Sequence, residues 1–424
     1  MRGDFAGGQH GWTVLGGLLP VLFLSIACSA SSQDFVYISD QEDCCAPIIG
    51  ESSLTGWAGQ GRLWLNADYL SWQLSGTDLP PLVTASPAGT PVSNAGVLGD
   101  PTTQILSGNA EVNNGWRSGF RLQGGYWLDA CQTWAITGEY FDVGSDDYRF
   151  AQGSDPTLII TRPFYNTELD TEDTELVYLD GELDGDVRVS ASDEFRGAYL
   201  GLQRCLRRCC DPCCGPSWNL DLVGGYRYYQ YNSQLAITED LTVLPGTSTP
   251  LVPGTTIDLS DGFRSRNEFH GGEIGLKGRL TQSYVWLEGL AAVAVGGHHR
   301  SVSVNGSTTN TVPAVGTSTA AGGLLTSEVT NIGHYSDTRA AVIPNFRLAL
   351  GCQLTQRVSG HFGYNVIVWD DVVMAAHHLP PGLEVDPRNL PPVQAGGGPE
   401  PEFPGLRGST LVAHGIDLGL EFTY

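Results

Sequence analysis

Past its N-terminus the chain has no run of 18 or more apolar residues, which excludes a membrane-crossing helix, although 41% of its 424 residues are hydrophobic. Charge is scarce too: 16% of residues are Asp, Glu, Lys or Arg, against roughly 25% in ordinary soluble domains. Lys and Arg are the scarcer sign, 22 against 46 acidic residues, for a net charge of −24, which argues against nucleic acid as a partner. Amphipathic helical periodicity is hard to find. No GxSxG, HExxH or GxxxxGK[ST] motif occurs, nor a CxxCH for covalent haem. An enzyme activity has no local signature here, so none is expected, and no cofactor is.

What the chain does have is glycine, 55 residues of it, and strict alternation. In "GIDLGLEFTY", the last ten residues, Ile416, Leu418, Leu420, Phe422 and Tyr424 share one face of a strand, and Asp417, Glu421 and Thr423 share the other. "GWRSGFRLQGGYWL", "SWNLDLVGGYRYY", "AAVIPNFRLALGCQL" and "HFGYNVIVW" repeat the scheme. Weaker segments ("RLWLNADYLSW", "TWAITGEYF", "FRGAYLGLQ", "GGEIGLKGRL", "YVWLEGLAAVAV") bring the total to ten strands. Each is about as long as a tilted bilayer crossing, roughly 9–11 residues. Gly124/Gly125, Gly224/Gly225 and Gly271/Gly272 suit close packing and bends in a curved sheet.

The connections alternate between short and long. "DACQ" after Leu128, the cysteine turn before Ser217, "TQS" before Tyr284 and "TQRV" after Leu354 are short; the others are long and rich in Pro, Gly, Thr, Ser and Asp. Short periplasmic turns, long outer loops and an even strand count are the plan of an outer-membrane barrel. Tyr126, Trp134, Trp218, Phe422 and Tyr424 all sit near a short turn or the C-terminus on the apolar parity, as one interfacial girdle would. Trp286 lies at that level on the opposite parity, so it is either lumenal or out of register. The expected fold is therefore all-β: one antiparallel up-and-down transmembrane barrel of ten strands, with twelve as the alternative count. A secreted soluble sandwich or solenoid would need a partner sheet against every apolar face.

The terminal aromatic strand resembles the signal by which bacterial outer-membrane barrels are recognised for assembly. "LWLNADYLSW", "GWRSGFRLQGGYWL", "FRGAYLGLQRC" and "DLVGGYRYY" resemble a planctomycete family of putative β-barrel porins, from about Arg62 to Tyr424. The resemblance implies the cell outer membrane as location, its lipid and the barrel assembly machinery as partners, and transport as the activity.

Ahead of the barrel, Arg2, the apolar stretch Val14–Ala27 and "CSASS" read as a signal peptide over residues 1–30, with Cys28 as a lipidated residue in the competing lipoprotein reading. Residues 31–61 then form a periplasmic N-terminal segment, and 62–424 the barrel.

The polar parity supplies Arg117, Arg121, Glu139, Asp221, Arg227, Glu273, Lys277, Arg279, Glu288, Arg347, His361, Asp417 and Glu421 as lumen-lining candidates. They are either an inter-strand salt-bridge network that fills the lumen or charged rings that tune permeation. A ten-strand barrel is little wider than an eight-strand one, whose side chains just fill it.

Outside the lumen, the loop after the third strand carries nine carboxylates and no Lys or Arg: Glu168, Asp170, Glu172, Asp173, Glu175, Asp180, Glu182, Asp184 and Asp186. It reads as a solvated loop or as a place where divalent cations bridge weakly; "DGELDGD" departs from a calcium loop at Glu182 and Ala191. His298–His299 and His377–His378 have no third ligand at a telling spacing. The last long loop holds eight prolines between Pro380 and Pro404 and is either extended or folded over the mouth.

All nine cysteines of the exported chain fall on the periplasmic side: Cys44, Cys45, Cys131, Cys205, Cys209, Cys210, Cys213, Cys214 and Cys352. Export favours disulfides over a zinc site, with the cysteine turn tied to Cys44/Cys45 and to another turn. The functional expectation is a passive, narrow, cation-preferring channel for ions or small solutes. The alternative is a structural or surface-interaction barrel with a closed lumen, whose long loops do the work.

Overall fold

The structure, a computed structural model, describes residues 62–209, 216–245, 251–394 and 396–424. The expected signal peptide, the N-terminal segment and Cys44, Cys45, Cys210, Cys213 and Cys214 lie outside the described residues.

Alternation along the chain becomes ten long strands: β1 (Leu63–Leu74), β2 (Trp116–Trp127), β3 (Trp134–Gln152), β4 (Leu183–Cys209), β5 (Ser217–Val243), β6 (Thr256–Gln282), β7 (Val285–Val312), β8 (Gly333–Gln353), β9 (Val358–Val373) and β10 (Gly408–Thr423). Each pairs antiparallel with the next. The ring closes where β10 meets β1, from Trp64 opposite Thr423 to Leu74 opposite Ala413. Leu63 and Tyr424 exchange backbone hydrogen bonds of 3.1 and 2.8 Å at the seam. The count is ten, and closure leaves no edge strand in the ring.

The outward parity at the short-turn end is apolar and bare. Leu122, Tyr126, Leu202, Leu276, Leu348, Phe362, Leu420 and Phe422 are all exposed. A continuous apolar belt of this kind is stable against hydrocarbon, not water. Tight turns close this end; after β2, the Asp129 carboxylate accepts the backbone N–H groups of Thr133 and Trp134 at 3.0 and 2.9 Å.

At the other end the strands run on. Those of β4 to β7 reach 27 or 28 residues, well past a bilayer crossing, so much of what reads as long loop is paired sheet. The reason is an inversion of polarity along each strand. On β5, Leu220, Leu222 and Tyr226 face outward and Asp221 and Arg227 inward; beyond Tyr228 the outward residues are Gln230, Asn232, Gln234 and Thr238, while Tyr231, Leu235, Ile237 and Leu241 are buried inside. The upper barrel is built as a protein in water, the lower barrel as one in lipid.

An apolar core fills this upper part, including Val187, Val189, Leu235, Ile237, Phe263 and Val302. A small sheet contributes to it: Glu384–Val385, Leu158–Asn166, Val83–Pro87 and Gln104–Ser107 in that order, with Thr171–Tyr178 on the other side of Leu158–Asn166. The Pro-rich segment between β9 and β10 is folded into the mouth rather than extended. Its Met374, Ala375, Leu379 and Leu383 join the buried apolar residues. The Ala375 N–H donates to Ser233 Oγ at 2.7 Å and the Val373 N–H to Asn267 Oδ1 at 2.8 Å.

Candidate functional site

Inside the lipid-facing part, all thirteen lumen candidates point inward, and each is paired. Arg121 binds Asp68 and Asp417 at 2.6 and 2.7 Å, and His361 Nε2 lies 2.9 Å from Asp68. Arg227 binds Glu273 and Glu139 at 2.6 and 2.8 Å; Arg347 reaches the same Glu139 at 3.4 Å and Gln123 at 3.1 Å. Arg279 spans Glu421 and Glu288, and Lys277 adds 3.2 Å to Glu288. Asp221 accepts from Gln203 and Asn219, and Arg117 donates to Asp193 at 2.8 Å. The arrangement is therefore the network reading rather than one-sign rings. Burial of so many charges is tolerated because nearly every one has an opposite partner in hydrogen-bonding geometry.

The space left among Asp68, Arg121, Glu288, Arg347, His361 and Asp417 is about 10 Å³, at the lower limit for a single water. Trp286 is lumenal, with the Arg279 guanidinium 4.0 Å from its ring centre. Asp68 and Trp72 escape the polar-parity reading because the inward face of β1 mixes polar and apolar residues, Asn66, Asp68, Leu70 and Trp72, alternating with Leu65, Ala67, Tyr69 and Ser71.

Directly above the charges lies a second layer. Trp72, Phe141, Phe195, Tyr229, Phe269 and Trp369 are fully buried inside the ring, with neighbouring ring centres 5.2–6.4 Å apart. Such tilted contacts are the favoured aromatic geometry. Trp369 donates to His298 Nδ1 at 3.3 Å, and His298 Nε2 meets Asn267 Oδ1 at 3.3 Å.

The paired histidines do not act together. His298 faces the lumen while His299 faces outward, bonded to Thr338 at 3.1 Å. In the mouth, His378 donates from Nδ1 to Met374 O at 2.7 Å and accepts the Arg407 N–H at Nε2, and burial pushes its imidazolium down to about 4.

The nine carboxylates of the acidic stretch are dispersed, which corrects the picture of one solvated loop. Asp170 accepts from Tyr165 and Asp173 from Asn166, Glu168 approaches Arg388 at 3.8 Å, and Asp186 binds Arg188 at 2.7 Å. Asp184 accepts from Ser154. Glu172 and Glu175 lie on the strand Thr171–Tyr178, with Asp180 and Glu182 in the turn leading to β4. Glu175 turns inward toward Arg162, which is buried and paired with Glu239 and with Asp261, the latter at 2.8 Å. Burial, with Glu239 close by, raises the Glu175 carboxyl well above its ordinary range. Among the described residues no group of three or more His, Cys, Asp or Glu converges as a metal site.

The described cysteines, Cys131, Cys205, Cys209 and Cys352, all lie at the short-turn end of the barrel. Cys131 is disulfide-bonded. Cys209 and Cys352 depart from the expected disulfides: both are exposed and unbonded, and Cys352 sits on the outward parity of β8, pointing away from the lumen.

A closed ten-strand antiparallel ring with an apolar outer belt and a charged interior defines a transmembrane β-barrel. The chain belongs to the Putative beta barrel porin-7 family, which it matches over residues 64–424. No curated relative matches it. Among solved structures it is similar to the outer membrane protease OmpT from Escherichia coli, at 11% identity, covering 88% of this chain and 99% of that one with a TM-score of 0.38. It is also similar to the toluene transporter TodX of P. putida, at 8% identity, 86% and 90% coverage and a TM-score of 0.20. Similarities this distant carry no argument about activity.

Proposed function

We propose that this protein is an outer-membrane barrel with a closed lumen, anchoring an ordered outer head that is its working surface. The observation that carries the reading is the stacked closure: a charge-paired layer, in which the cavity beside Asp68 and Arg121 holds about 10 Å³, beneath a layer of buried aromatic rings. Above them the segment following β9 is bonded into the mouth through Ser233 and Asn267. An ion would have to part both layers and break charge pairs on the way. The reading keeps membrane lipid and the barrel assembly machinery as partners and assigns no catalytic role.

The second reading, a passive narrow channel, is favoured by the family's description as a porin. It requires the mouth segment to leave and the aromatic layer to separate. Planar-bilayer recording of the refolded full chain decides between them. Absence of single-channel steps in concentrated salt, from a monodisperse inserted sample, is the expected outcome. Regular steps would replace the closed-lumen reading by the channel, and their reversal potential would then report any cation preference.

A further inference from the structure

On the outer wall, just above the apolar belt, β3 to β8 form a groove of about 680 Å³. On β6 the outward residues pass from Leu276 and Ile274 to His270, then to Glu268, Arg266 and Arg264. Beside them stand His299 and His334 on β7 and β8. Serines and amides from β4, β5 and β7 complete the wall.

All three carboxylates of the groove are already engaged: Asp193 is paired with Arg117 at 2.8 Å. Glu268 is bound by Arg266 at 2.6 Å and by the Tyr228 hydroxyl at 3.2 Å, and Glu194 accepts from Asn232 at 2.6 Å. Arg264 is exposed and has no ion pair or hydrogen-bond partner among the described residues. Each imidazole is held through Nδ1, His299 by Thr338 and His334 by Ser303 at 2.8 Å, which leaves both Nε2 atoms unengaged. With Asp193, Glu194 and Glu268 matched by Arg117, Arg196 and Arg266, Arg264 is the unmatched cation of a donor-rich groove.

Its height decides the occupant. Below the groove, one outward step from its Glu268, lie Tyr226 and His270, whose rings are 6.2 Å apart and whose hydroxyl and Nδ1 are bonded, at the level where the outward face stops being apolar. Aromatic side chains with one polar end mark the interface of a membrane barrel. Lipid phosphates lie immediately outside that level. A guanidinium with free donors, flanked by imidazoles and hydroxyls, matches a phosphate carried on a sugar-like polar head.

We propose that this groove binds the phosphorylated headgroup of a lipid in the surrounding outer leaflet, with Arg264 and Arg266 on the phosphate and His299 and His334 beside it. The proposal rests on the outer-membrane reading and adds a ligand to the barrel's outer wall. The test refolds the full chain into phosphatidylcholine vesicles with and without lipid A as the phosphorylated-sugar probe, then counts retained lipid by native mass spectrometry after detergent extraction. Wild type should retain lipid A, and R264A/R266A should lose it, by about tenfold in affinity for each arginine. The exposed Arg149→Ala variant, outside the groove, should retain it.

Equal retention by wild type and R264A/R266A would overturn the site, as would insertion without any retention. Displacement of the probe by inorganic phosphate alone would assign the groove to a free anion instead of a lipid. A chain that fails to insert would overturn the outer-membrane reading and the lipid site together.

Discussion

The Arg227 guanidinium lies 5.3 Å from the ring centre of Tyr229, its inward neighbour on β5, and the two residues mark the boundary between the barrel's two interiors. Below it the lumen is filled by paired charges; above it, mainly by aromatic and aliphatic side chains, among which the Arg117–Asp193 and Arg162–Glu239–Asp261 ion pairs are buried. The same two-residue step separates Leu-rich lipid-facing wall from the polar wall of the upper barrel.

Removing Arg227 leaves Glu139 and Glu273 buried with too few cations. Arg227→Ala is expected to destabilise the barrel by about 3–5 kcal/mol. Urea unfolding in vesicles measures it, and adding Glu273→Gln should recover part of the loss by removing the stranded charge. Equal stabilities of R227A and wild type would mean that the network is not what holds the lumen.

Trp369 touches Phe195, Tyr229 and Phe269 at ring separations of 6.2–6.4 Å. Truncation to alanine opens a cavity in the aromatic layer and should cost about 3–5 kcal/mol. If that layer seals the lumen, Trp369→Ala combined with deletion of residues 374–383 should leak small ions from loaded vesicles where wild type does not. Leakage from wild type at the same rate would remove the layer's sealing role.

His378 is neutral when buried, with one nitrogen donating and the other accepting. Its folded-state pKa is depressed from 6.5 to about 4. Its contribution is therefore present above pH 6.5 and is lost as pH falls toward about 4. Limited proteolysis of the mouth segment should accelerate across that window, and His378→Asn should flatten the dependence. Protection by wild type that does not change between these pH values would contradict the assignment.

Glu175 has the opposite sign. Its raised carboxyl pKa means that its contribution is complete at low pH and fades as pH rises through the folded-state value. The outer head should loosen on alkalinisation, as amide exchange in Leu158–Asn166 and Thr171–Tyr178 would show. Glu175→Gln, which keeps the shape without the proton, should abolish the alkaline effect and stabilise the head at neutral pH.

Ten strands, their order, the inward set of thirteen charged or ionisable residues and the position of the short turns were all legible in the chain, because alternation and turn residues act over a few neighbours. Cys131 at the short-turn end was equally readable from its turn. The upper halves of β4 to β7 were not, since the apolar residues change sides after Arg227: Tyr231, Leu235 and Ile237 continue the inward parity that Asp221 and Arg227 had made polar. A rule tuned to lipid-facing strands reads that switch as the end of a strand.

Which charges pair is a property of the closed ring alone. Arg347 on β8 meets Glu139 on β3, and Arg279 on β6 meets Glu421 on β10, across a lumen whose width no local pattern specifies. Trp286 became lumenal, and the proline-rich segment became a cap, through the same closure. Local backbone geometry determined the strands; burial, which depends on every strand at once, decided what the barrel holds inside and what it shows to lipid and water.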